Sequence, residues 1–124
     1  MIAGEWSNLN VGEWPTRWAH RYPDEAYLKC GDLELTKAEF NRRVNKVAHS
    51  LQRMGVKKGT RVSVLMANCH RFLEIHFALN KLGGIFVPLN FRLAPPELEY
   101  ILNDSGPIAL FYSPEFTASV EALR

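Results

Sequence analysis

The residues of this 124-residue chain whose types could do chemistry are Cys30, Asn68-Cys69-His70, His76, Asn90-Phe91-Arg92 and Ser113. Cys69 falls at a predicted helix N-terminus, where a thiol can become reactive. A small residue packed into the first turn is the competing reading, since free cysteine commonly behaves as a buried hydrophobe. His70 and His76 are six residues apart and cannot share a helical face, so they read as a βα-loop histidine and a helix-face histidine, not as metal ligands. Cys30 and Cys69 have no partner at metal spacing and read as two reduced thiols rather than a zinc site or a disulfide framework. There is no G-x-S-x-G elbow, no H-E-x-x-H, no G-x-x-x-x-G-K-(S/T) and no acidic pair near a strand end. The first βα turn lacks glycine and cannot bring its backbone against a pyrophosphate. The residues therefore assign no catalytic, cofactor-binding or metal-binding side chain, and the eight glycines read as turn and cap residues.

The elements that would position these residues centre on 61–90. Arg61-Val62-Ser63-Val64-Leu65-Met66 is β-branched and nearly all apolar, Asn68 suits a helix N-cap, 71–82 is heavily apolar, Gly83-Gly84 stops the helix, and Ile85-Phe86-Val87 is apolar again. This is a βαβ unit. Neither strand alternates strictly, which predicts cover on both faces, as in a parallel sheet flanked by helices. Before it, 8–23 predicts a short helix starting at Gly12 or Glu13, because Pro15 fits only the first turn; Trp14 and Trp18 lie at i,i+4, as do Glu13 and Arg17.

Residues 26–35 predict a hairpin about Gly31-Asp32 that sets Lys29 opposite Glu34 and Leu28 opposite Leu35. Thr36-Lys37-Ala38-Glu39 is a capping box, with Leu35 and Phe40 as its hydrophobic staple. The helix it opens carries Phe40, Val44, Val47, Leu51 and Met54 on one stripe and ends at Gly55, with Val56 placed for a Schellman stop. Its other face holds Arg42, Arg43, Lys46 and Arg53, with Lys57 and Lys58 following and only Glu39 opposing them. That pattern reads as a solvated face, the alternative being contact with an anionic membrane or ligand. After the central unit, Pro95-Pro96-Glu97 opens a helix with Leu98, Ile101 and Leu102 buried, up to Gly106-Pro107. Residues 108–112 form the next strand, and Ser113-Pro114-Glu115 caps a helix with Phe116, Val120 and Leu123 at helical spacing. That pattern is still periodic at Arg124, which suggests a longer parent chain.

At 47% hydrophobic and 23% charged, the composition is that of a globular domain, and a net charge of +2 gives no mandate for nucleic acid. No apolar run is long enough to span a bilayer, and residues 1–6 lack a signal-peptide layout, so a cytoplasmic location is the default expectation.

Leu35-Thr36-Lys37-Ala38-Glu39-Phe40 resembles the first core motif of adenylate-forming enzymes, Leu-(Thr/Ser)-Tyr-x-Glu-Leu. The stretch 79–90, with Lys81, Gly83, Pro88, Leu89 and Asn90, resembles the second, Leu-Lys-x-Gly-x-x-x-x-Pro-Leu-(Asn/Asp). Gly55-Val56-Lys57-Lys58-Gly59-Thr60-Arg61-Val62 is similar to the family's "GV.KGDRV", and 90–106 to its "N.RL.PEEL.YIL.DSG". The resemblance covers about 11–112. Lys37 departs from the first motif's aromatic, and Ala94 stands where a Thr or Ser cap is usual.

The resemblance implies an α/β, three-layer sandwich with a mainly parallel sheet and an N-terminal β-hairpin, a fragment of the large N-terminal domain of adenylate-forming enzymes. Residues 1–124 would be the N-terminal portion of that AMP-binding domain, with the phosphate loop, hinge and C-terminal lysine outside it. The parent would be an AMP-forming acyl-CoA synthetase. It would use ATP and Mg²⁺ to convert a carboxylic acid, expected to be a fatty acid, to an acyl-adenylate, and pass the acyl group to a thiol such as CoA. No residue here matches a family catalytic position, so this portion is expected to supply scaffold, bind no cofactor and be inactive alone. Its expected partners are the rest of the parent enzyme and further copies of itself, not nucleic acid. Two other readings stand beside this one. A self-contained α/β binding or signalling domain, such as a receiver, would need clustered Asp at strand ends, where Asn68, Asn90 and Ser113 stand. A non-ligase relative, such as a peptide-synthetase adenylation domain or a luciferase, is the other.

Overall fold

The computed structural model describes residues 10–123; residues 1–6, read above for a signal peptide, and the start of the 8–23 segment lie outside them. The chain opens with a 3₁₀ turn, Val11–Glu13, that runs into α1, Trp14–Arg21, so that Pro15 sits in the first turn where no amide is needed. The expected i,i+4 pairs form: Arg17 reaches Glu13 at 2.9 Å, and the Trp14 and Trp18 rings lie 5.8 Å apart.

Strands β1 (Ala26–Cys30) and β2 (Leu33–Thr36) form the hairpin with the predicted register, Leu28 opposite Leu35 and Lys29 opposite Glu34. Gly31 at φ +60° supplies the left-handed first turn residue. One feature was not predicted: the register shifts between Ala26 and Leu28, placing Tyr27 as an extra residue on β1. Its ring packs 5.1 Å from Trp18 and 4.8 Å from Phe40, and burial raises its phenol pKa above the ordinary 10.0.

Helix α2, Lys37–Arg53, begins at the capping box. The Glu39 amide donates to Thr36 Oγ1 at 3.2 Å and the Thr36 amide to Glu39 Oε2 at 2.9 Å. It ends in a Schellman motif, the Val56 amide donating to the Leu51 carbonyl and the Gly55 amide to that of Gln52, with Gly55 at φ +95°. The buried stripe is Phe40, Val44, Ala48 and Leu51; Val47 is half-buried and Met54 is 50% exposed. Met54 was expected inside, but as the C-cap it lies beyond the last turn that packs.

Strands β3 (Arg61–Leu65), β4 (Ile85–Pro88) and β5 (Ala109–Tyr112) form a parallel sheet in the order β4-β3-β5. Helix α3, His70–Leu82, links β3 to β4 and stops at Gly83, which is left-handed at φ +72°. Helix α4, Pro95–Ser105, links β4 to β5; Glu97 accepts from the Ala94 amide at 2.8 Å, which secures one amide where a capping hydroxyl is missing. The last segment is a 3₁₀ turn, Pro114–Phe116, followed by α5, Thr117–Glu121, in place of one continuous helix. Ser113 precedes it without a side-chain capping bond, contrary to expectation.

Two helical layers flank the sheet. On one face, Val62, Val64 and Met66 pack with Phe40, Val44, Leu51, Ile75, Phe77 and Leu79 from α2 and α3. On the other, Leu65 packs with Leu89 and Leu98, joined by half-buried Ile101, Leu110, Phe116 and Val120. Only β3 is buried on both sides as its sequence predicts. The equally apolar β4 is an edge strand, with Ile85 and Pro88 exposed.

Candidate carboxyl-edge site

In parallel sheets ligands bind beyond the strands' carboxyl ends, and the edge here is built by the loops after β3, β4 and β5. After β3 comes 67–69. The residue that caps α3 is Cys69, not Asn68, and it makes no side-chain capping bond; Asn68 is exposed. His70 opens the helix, and its Nδ1 is buried without a hydrogen-bond partner. After β4, the Leu89 amide reaches the Val64 carbonyl at 2.9 Å, and Asn90 Oδ1 accepts from the Arg92 amide at 3.0 Å, closing an Asx turn. After β5, the Ser113 amide donates to the Leu65 carbonyl at 3.2 Å, while its buried Oγ has no partner. His70 Nδ1 and Ser113 Oγ are thus two unsatisfied polar atoms at the ends of adjacent strands, and buried polar groups are normally paired.

Beside this edge lies a pocket of about 430 Å³ lined by Leu28, Cys30, Asn68, Cys69, His70 and Phe72 among others. The two thiols that sequence spacing keeps apart therefore face one space; both are free and half-buried. Nothing in the local sequence signals this, because the hairpin register and the α3 start together create it. His76 stands away from the edge, stacked on Phe86 at 4.4 Å, and burial lowers its pKa below the ordinary 6.5.

The other polar groups tie helices together. Lys81 Nζ donates to Thr16 Oγ1 at 2.9 Å, Asn41 Oδ1 at 2.8 Å and Asn45 Oδ1 at 2.6 Å, joining α3 to α1 and α2, and burial lowers its pKa. Asn10 Nδ2 donates to the Asn80 carbonyl at 2.6 Å. Next to it, a Cβ on Gly12 would lie 2.3 Å from the Lys81 amide nitrogen, so only glycine permits this approach. Arg43, half-buried on the basic face of α2, also pairs through its Nε with the buried carboxylate of Glu74 on α3 at 2.5 Å. Arg42, Lys46 and Arg53 remain exposed as expected.

ATP, Mg²⁺ and CoA are the groups the sequence resemblance implies for the parent enzyme. Among the described residues no three His, Cys, Asp or Glu side chains converge to hold a metal. The 67–69 loop has no glycine for close phosphate approach. No helix among the described residues is long and apolar enough to cross a membrane.

Comparison with known proteins gives the context. The model of the family described as "AMP-binding enzyme" matches residues 15–124. A feruloyl-CoA synthase of Amycolatopsis is 43% identical over 116 residues, which is 94% of this chain and 24% of that protein. The long-chain-fatty-acid–CoA ligase FadD13 of Mycobacterium tuberculosis H37Rv is 38% identical over 101 residues, 81% of this chain and 20% of that one. The inhibitor-bound N-terminal domain of FACL13 from Mycobacterium tuberculosis superposes with a TM-score of 0.88 at 33% identity, covering 91% of this chain and 29% of the other. The chain spans about a quarter of the length of the curated relatives it matches.

Proposed function

The chain belongs to the AMP-binding enzyme family, and from that premise we propose that it is the N-terminal scaffold portion of an acyl-CoA ligase. The parent activates a carboxylic acid with ATP, releasing pyrophosphate and forming an acyl-adenylate, from which a thiol displaces AMP to give a thioester. A fatty acid is the proposed substrate class. The name of the feruloyl-CoA synthase relative favours a second reading, an aryl acid. The observation that carries the ligase reading is the family match over 15–124 together with 43% identity across 94% of the chain.

The division of labour rests on chemistry. Stabilising a transferring adenylyl group takes preorganised donors or cations aimed at the phosphate. The carboxyl edge offers an unpaired imidazole nitrogen and a hydroxyl, with no convergent acids and no phosphate-cradling loop. In this reading the capping box and Gly83 fix helices, and Pro88 ends an edge strand that needs no further donor.

ATP–pyrophosphate exchange over a panel of fatty and hydroxycinnamic acids tests this, run with the 124-residue chain and with the complete product of its gene. Acid-dependent exchange from the complete product and none from the chain is the expected result. Exchange from the chain alone refutes the scaffold assignment, and none from either refutes the ligase reading.

A further inference from the structure

We draw no further inference here: the strongest candidate, the pocket beside the sheet's carboxyl edge walled by Cys30, Cys69 and His70, belongs to the site already described, and among the described residues nothing brings its two free thiols into bonding contact or makes its side chains converge on a metal.

Discussion

The two faces of the parallel sheet are filled differently. On the α2/α3 face, aromatic rings run in contact from Trp18 through Tyr27 and Phe40 to Phe77, joining α1, the hairpin and both helices over Val62 and Val64. On the α4/α5 face, Leu65, Leu89 and Leu98 are the fully buried residues, and α5 buries none of its own. Ile108, just before β5, is 55% exposed. The difference teaches that βαβ topology does not by itself distribute stability. The first face holds the larger buried core, the second a thin cover whose half-buried residues would gain from further apolar contact.

The strongest way to break this comparison is to delete one anchor from each face. Phe40→Ala should cost about 3–5 kcal/mol, since the ring is wholly buried among other aromatics. Val120→Ala should cost less than about 1 kcal/mol. Equal shifts in urea midpoint would show that the faces carry equal weight.

Next in size is the polar tie across the first face. Lys81→Met keeps the side-chain volume but strands the acceptors on Thr16, Asn41 and Asn45, and should cost about 1–3 kcal/mol. An unchanged melting temperature would mean that water replaces the ammonium without loss.

The capping box sharpens the comparison at its start. Thr36→Ala should cost about 0.5–2 kcal/mol. Lys37→Ala looks neutral from sequence, but Lys37 reaches Glu25 at 3.0 Å and lies 5.0 Å over the Tyr22 ring, with its side chain only 16% exposed. The two contacts should raise the cost of its loss to about 0.5–1 kcal/mol, still below that of the cap. Denaturant titrations giving Lys37→Ala the larger effect would reverse that order.

The smallest effect is pH-dependent. Burial lowers the His76 pKa from 6.5, so the unfolded state binds the proton more readily. The contribution is complete above the unfolded value and is lost as pH falls through the folded one. His76→Phe preserves stacking on Phe86 and should flatten the stability profile as pH falls below about 6.5. A variant profile as steep as the parent's would assign the acid sensitivity elsewhere.

What was legible in the sequence is what adjacent residues decide. Thr36 and Glu39 cap each other because three residues separate them, Gly55 and Gly83 adopt the left-handed helix stops, and the Leu28–Leu35 register follows from a two-residue turn. The parallel strands were legible from the apolar runs of β3 to β5. What sequence could not give depends on distant elements meeting. Arg43 gains its partner only when Glu74 arrives from α3, the acceptors of Lys81 come from α1 and α2, and Gly12 looks like a turn residue until the α3 backbone closes on it. Ala48 replaces Met54 in the buried stripe for the same reason: periodicity gives a face, but only the neighbour's length decides where burial stops. The candidate edge was placed by strand ends, yet the orphaned His70 and Ser113 atoms and the shared wall of Cys30 and Cys69 appear only once the sheet is assembled.

Residue-resolved amide hydrogen exchange at neutral pH tests the unequal faces most directly. Protection should be greatest in β3, α2 and α3, and amides of α4, β5 and α5 should exchange through smaller openings well below the global unfolding energy. Uniform protection across α3 and α4, all exchanging only through global unfolding, would contradict the account.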